Sequence, residues 1–187
     1  MAVHSPVGLK LLRAHYTDTD ELQQELAAHP HAWDTLPMRT QGTSPHRELS
    51  DIWLRYNALD NFDGDVAKFN AEHTPEWYPV IAELPAAKRL CERIAHDYHG
   101  DLGGVLITKI PAHKTCYPHV DQGWHARYYD KFALQVKGTP AQTFHVERHV
   151  LRTTSGDLFT FDNSKLHWVL NPTDEDRITM IVCLKVH

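Results

Sequence analysis

After Gly103-Gly104 the chain changes its hydrophobic period and keeps the new one to the end. The segments Val105–Ile110, Thr115–Val120, Phe132–Val136, Thr143–Val146, His149–Thr153, Leu158–Phe161, His167–Leu170 and Ile178–Val186 are short and rich in β-branched and aromatic residues. Each is bounded by Pro, Gly, Asn or Asp. Eight closely spaced strands of this kind predict an antiparallel barrel or jelly roll. Ahead of them, residues 18–29 read as a short helix, with Asp18 or Thr17 as cap and Leu22 and Leu26 on one face. Residues 30–50 carry Pro30, Pro37, Gly42 and Pro45 and read as loop, and Ile52, Leu54 and Tyr56 alternate as a strand does. The clearest helix is 85–98. Pro85 suits its first turn, Ala87, Leu90, Cys91, Ile94 and Tyr98 recur at helical steps, and Gly100 stands where it would end. The fold class expected is mainly β with N-terminal α-helices.

A chain of 187 residues fits one domain, with 1–104 as helical and mixed support and 105–187 as the β core. Its 42% hydrophobic and 23% charged content is that of an ordinary soluble globular protein. A net charge of −5 gives no footprint for duplex nucleic acid. Cys91, Cys116 and Cys183 are odd in number and widely spaced, which suggests neither a disulfide framework nor a zinc cluster and fits a reducing compartment. Met1–Leu12 reads as neither signal peptide nor anchor, and no stretch approaches a membrane span. A cytoplasmic location is expected; oligomeric state is not legible.

Near the C-terminus, Gly156-Asp157 opens a strand–loop–strand run to His167, and Arg177 follows ten residues later on the next strand. An imidazole that can bind metal then stands beside a guanidinium that can bind a carboxylate. His119-Val-Asp121 offers two more ligands, since residues i and i+2 of a strand share a face. The motif alone is weak. With 15 histidines the chain also holds His99-Gly-Asp101, His46-Arg-Glu48 and His145-Val-Glu147. Context separates them: His99-Gly-Asp101 reads as a helix end, His46-Arg-Glu48 as solvated loop, and His145-Val-Glu147 as a real competitor close in barrel order to His167. His119 lies on the second of the eight strands and His167 on the seventh. These are neighbours in a double-stranded β-helix, so His119, Asp121 and His167 can converge.

These residues resemble the Fe(II)/2-oxoglutarate-dependent oxygenases, most closely the aspartyl/asparaginyl β-hydroxylase-like branch. The resemblance rests on His119-x-Asp121, on His167 with Val169 and Asn171, and on Arg177 opening Arg-Ile-Thr-Met-Ile. It covers 105–187 well and the N-terminal part loosely. Some members of that branch lack the carboxylate ligand that Asp121 would supply. The resemblance implies a double-stranded β-helix, the cupin-like barrel, with Fe(II) held by His119, Asp121 and His167. It implies 2-oxoglutarate anchored by Arg177 and O2 as co-reactant, with succinate formed as an unactivated C–H bond is hydroxylated. The substrate implied is an amino-acid side chain, free or in a peptide. Tyr117, Lys131 and Gln135 are further candidates for contact with 2-oxoglutarate, and Trp124, Arg127 and Tyr128 for contact with substrate; Trp168 faces away from His167. Loops 30–50, 60–80 and 122–130 would set the substrate.

Two rival readings remain. A cupin-type metal protein explains Gly156-Asp157 to His167, but lacks the usual His-x-His with a following Glu and leaves Arg177 without a role. A non-catalytic β-barrel interaction domain treats the histidines as incidental. A hydrolase is poorly supported: the chain has no Gly-x-Ser-x-Gly, and Cys116 has no evident activating helix terminus.

Overall fold

The computed structural model describes residues 7–13, 15–62 and 64–187. The reading of Met1–Leu12 as neither leader nor anchor falls in part on residues 1–6, outside the described residues. In chain order the strands are β1 (Leu9–Arg13), β2 (Ser50–Tyr56), β3 (Glu76–Trp77), β4 (Gly100–Ile110), β5 (Thr115–His119), β6 (Asp130–Lys137), β7 (Thr143–Val146), β8 (His149–Arg152), β9 (Leu158–Phe161), β10 (His167–Leu170) and β11 (Arg177–Val186). The helices are α1 (Thr19–Ala28), α2 (Val66–Phe69), α3 (Pro85–Asp97) and α4 (Trp124–Tyr128). All eight segments read from the C-terminal pattern are strands, β4 to β11.

Together with β1, β2 and β3 they form two antiparallel sheets, one of seven strands in the order β1-β9-β6-β11-β4-β2-β3 and one of four in the order β5-β10-β7-β8. This is the double-stranded β-helix. The larger sheet is covered on both faces, which is why its strands lack a clean polar alternation. Met180, Val182 and Leu184 of β11, Val105 and Ile107 of β4, and Phe132 and Leu134 of β6 pack with Leu22, Leu26, Leu90 and Ile94 of the helices. The opposite face meets the smaller sheet, where Ala133, Phe159 and Phe161 pack with Cys116, Phe144, Val146 and Val169. Burying a side chain such as Leu90 or Ile94 is worth about 2 kcal/mol, so the helical layer is a large part of what holds the sheet.

Helix α3 starts after Leu84, which has no capping side chain, and the Glu25 carboxylate of α1 takes the Ala86 N–H at 3.0 Å instead. Asp18 precedes α1 but makes no side-chain cap; it bonds Arg93 at 3.0 Å. Gly100 does not end α3. His99 takes the left-handed turn at φ 51°, and Gly100 already belongs to β4. Gly103 and Gly104 are likewise inside β4 rather than ahead of it. A Cβ on Gly103 would lie 2.6 Å from the Tyr129 ring, and one on Gly104 would lie 2.9 Å from His125 Nε2. The two glycines therefore let α4 and its flank close onto the sheet.

Two strands were not read from the sequence. β1 pairs with β9, its partner far along the chain, and β3 is a two-residue pairing with β2.

Candidate metal centre

β5 and β10 are antiparallel neighbours, and the register sets His167 opposite His119. The next pairing is Val169 with Cys116, so Tyr117 and Pro118 together stand opposite Trp168 alone. This bulge is a place where a strand tolerates proline. It turns Cys116 and His119, three residues apart, to the same interior. Asp121 follows the strand end, its N–H donating to Asn163 O at 3.0 Å.

The three side chains meet. Their ligand atoms all lie within 4.8 Å of one another. Asp121 Oδ1 is 3.5 Å from His119 Nε2, and Asp121 Oδ2 is 3.9 Å from His167 Nε2. His119 Nδ1 lies 2.7 Å from Tyr117 O and His167 Nδ1 2.9 Å from Lys165 O. A carbonyl only accepts, so each Nδ1 carries a proton and donates, which turns both Nε2 atoms toward a shared centre, where a metal would displace any proton they hold. The Lys131 ammonium rests on Asp121 Oδ2. Burial works against the Asp121 charge, yet Lys131 and the two imidazoles outweigh it and hold the carboxyl well below the usual range. Burial lowers His167 to about 4. Burial also opposes charge on His119, but its bonds to Asp121 and Cys116 prevail and raise it to about 9.

Along β11, Arg177, Thr179, Ile181 and Cys183 alternate into the interior. Arg177 is 2% exposed. Its Nη1 donates to Thr179 Oγ1 at 2.7 Å, while Nε and Nη2 are buried with no partner among the described residues. A second guanidinium, Arg39, lines the same cavity, and it is fully matched. Asp51, 1% exposed, accepts from Arg39 Nε at 2.6 Å and Nη2 at 3.0 Å. A buried guanidinium without a carboxylate is a costly arrangement that a carboxylate ligand would relieve.

The ligands and Arg177 line an inner cavity of about 60 Å³, which adjoins an outer one of about 240 Å³. Arg39, His46, Leu106, Asp121, Lys131 and Ile181 line both. The outer cavity is walled by Trp53, Tyr56, His125 and Cys183, with Asn70 at its side. Residues from 30–50, 60–80 and 122–130 all reach it: Arg39 and His46, Asn70, and Gln122, His125 and Ala126.

Several candidate residues lie elsewhere. Tyr117 does not share the His119 face, because the bulge turns it outward, where Arg47 sits 3.7 Å above its ring. Gln135 is on the interior face of β6 but about 13 Å along the strand from Lys131. Its amide donates to Lys137 O at 2.7 Å and Ile178 O at 2.9 Å, closing the irregularity where β6 and β11 shift register. Trp124 stacks on Tyr128 at 5.1 Å, Arg127 and Tyr128 are exposed, and none of the three lines the cavity. His125, between them, does, and its Nε2 accepts from Gly104 N–H at 3.1 Å.

Other readings are settled by position. His145 stacks on Trp168 at 4.7 Å on the outer side of the small sheet, away from His167. Asn171 ties the β4–β5 turn to the β10–β11 loop, donating to Ile110 O at 3.0 Å and Glu175 O at 2.8 Å. His46 is not solvated loop. Its ring packs on His119 at 4.4 Å, and burial, helped by Arg39 and His119, pushes its pKa far below normal. The loop is fixed to β5 by Tyr117 N–H on Pro45 O at 2.9 Å and by Thr115 N–H on Glu48 at 3.1 Å. No local sequence signal marks that docking.

The fold defines a class, the double-stranded β-helix of the 2-oxoglutarate oxygenases. An oxidoreductase of the 2OG-Fe(II) oxygenase family from Burkholderia pseudomallei is similar over 97% of this chain and 86% of its own, with TM-score 0.63 and 11% identity. A prolyl hydroxylase from Trichoplax adhaerens is similar over 97% and 84%, with TM-score 0.57 and 11% identity. The viral collagen prolyl hydroxylase of Paramecium Bursaria Chlorella virus-1 covers 96% and 97%, at 0.50 and 11%. No curated protein sequence matches the chain. Residues 9–186 match the aspartyl/asparaginyl beta-hydroxylase family, and the chain belongs to it. It is therefore a 2-oxoglutarate-dependent hydroxylase, with Fe(II) as the metal and 2-oxoglutarate and O2 as the co-substrates of its class.

Proposed function

We propose that this chain hydroxylates an unactivated C–H bond of an amino-acid side chain, free or in a peptide. Two imidazole nitrogens and a carboxylate on one face would hold Fe(II) through His119, Asp121 and His167. Arg177 would take the far carboxylate of 2-oxoglutarate. The observation that carries this is the contrast between the two buried guanidiniums, Arg39 matched by Asp51 and Arg177 left without an acid. When bound, the iron with 2-oxoglutarate and O2 supplies the oxidation: 2-oxoglutarate loses CO2 to become succinate, taking one oxygen atom, and the other enters the substrate C–H bond.

The protein's own part is positioning. Tyr117 O and Lys165 O fix the two ring orientations. Lys131 keeps Asp121 ionised before the metal arrives. Leu106, Ile181, Trp53 and Tyr56 give the substrate side chain a largely apolar seat beside the metal ligands. Burial and the neighbouring Lys131 lower His125 to about 3, so it meets the substrate as a neutral imidazole. One relative in fold is a prolyl hydroxylase in complex with a peptide fragment, which supports including peptides among the substrates tried.

The test is a panel of free amino acids and peptides with Fe(II) and 2-oxoglutarate. The expected result is succinate formation matched by a product heavier by one oxygen atom. A protein that turns over no 2-oxoglutarate with Fe(II) present, and whose Arg177→Met variant behaves as wild type, would sink the reading. Among the described residues no helix is long and apolar enough to cross a membrane.

A further inference from the structure

A second set of metal-ligating groups shares one residue with the first. His46, Cys116 and His119 also bring their ligand atoms within 4.8 Å of one another. They come together from two elements. The bulge in β5 turns Cys116 and His119 to one side, and the docked loop at Pro45 and Glu48 lays His46 on the His119 ring at 4.4 Å. Cys116 is a free thiol, 5% exposed, and all three side chains line the inner cavity with Arg177.

The donor set differs in kind from that of His119, Asp121 and His167. One thiolate with two imidazoles favours a thiophilic metal, whereas two imidazoles with a carboxylate suit Fe(II). We propose that His46, Cys116 and His119 form a zinc site that overlaps the iron site. Zn–S near 2.3 Å and Zn–N near 2.0–2.1 Å in a tetrahedron set donors about 3.5 Å apart, which small side-chain movements from separations within 4.8 Å reach.

Sharing His119 makes the two sites exclusive. His119 Nδ1 is committed to Tyr117 O at 2.7 Å, which leaves Nε2 as its single ligand atom. Zinc on that nitrogen denies it to iron and occupies the cavity that holds Arg177. The site thus gives the protein a zinc-inhibited form that needs no partner and no covalent change. The zinc site stands on its own observations; its inhibitory effect rests on the iron reading above.

Co(II), which reports a thiolate ligand by an intense near-ultraviolet charge-transfer band, is the probe. Titrated into the full chain, it gives that band in wild type and in Asp121→Asn, which lacks the acid of the iron set. In Cys116→Ser the band is lost. Zn(II) affinity, read by competition with a chromophoric chelator, falls at least about tenfold in Cys116→Ser and in His46→Gln. His46 sits in a loop outside both sheets, so its variant tests the site with the barrel strands untouched. Wild-type protein that binds Co(II) with no thiolate band, or a band that survives in Cys116→Ser, overturns the proposal. Loss of the band in Asp121→Asn, with Cys116 intact, overturns it as well.

Discussion

Replacing Arg177 with methionine should stabilise the ligand-free protein while abolishing its response to 2-oxoglutarate. Burial lowers the Arg177 pKa from 12.5 to about 10, a penalty of about 3 kcal/mol on the charged form in the folded state. The folded pKa lies below the unfolded one, so the penalty is complete below pH 10 and fades only as pH rises beyond it. Methionine is shorter, fills much of the space of the arginine stem and carries no charge to desolvate. Loss of the bond from Nη1 to Thr179 returns about 1 kcal/mol, leaving a net gain of about 2 kcal/mol at neutral pH. In wild type, 2-oxoglutarate at a hundred times its Kd adds about 2.7 kcal/mol of stability, and in the variant it adds nothing. Urea unfolding followed by tryptophan fluorescence, with and without 2-oxoglutarate and an inert divalent metal, reads both effects. A variant less stable than wild type in the absence of ligand would refute the desolvation argument. Equal stabilisation of both proteins by 2-oxoglutarate would refute the role given to Arg177.

Alanine at His119, Asp121 or His167 should each abolish bound Fe(II), measured as metal content after anaerobic loading and desalting. Gly104→Ala places a Cβ 2.9 Å from His125 Nε2 and 3.0 Å from Tyr56. It should cost about 1–3 kcal/mol of stability and raise the KM for substrate, while 2-oxoglutarate affinity holds because Gly104 lines only the outer cavity. His125 titrates at 6.5 unfolded and at about 3 folded. The unfolded chain therefore binds the extra proton between these values, and stability falls by about 1.4 kcal/mol per pH unit below 6.5. His125→Gln should reduce the change in urea unfolding free energy between pH 6.5 and pH 5 by about 2 kcal/mol, and a slope identical to wild type would show that His125 is charged when folded.

The eight barrel strands were legible because each is written locally, in alternation and in turn residues. The pairing of β5 with β10 followed from their order in the barrel, and it brings His119 and His167 together. What failed was the rule that every second residue of a strand shares a face. One extra residue at Tyr117-Pro118 turns Tyr117 outward and puts Cys116 beside His119, and Pro118 inside an apparent strand was the available signal. A similar shift near Val136 gives Gln135 a backbone to satisfy instead of a ligand. His46, Arg39 and His125 reach the cavity through loop docking and through space left by Gly104, contacts that depend on residues far away in the chain. β1 was missed for the same reason, since its partner is β9.

The central claim is that two histidines, an aspartate and Arg177 bind iron and 2-oxoglutarate together. Anaerobic titration of the Fe(II)-loaded protein with 2-oxoglutarate, followed by the visible charge-transfer absorption of the chelate, tests it most directly. The account predicts one 2-oxoglutarate per chain in wild type, no chelate in His119→Ala or His167→Ala, and strongly weakened binding in Arg177→Met. Absence of the absorption in wild type, or its survival in the two histidine variants, would contradict it.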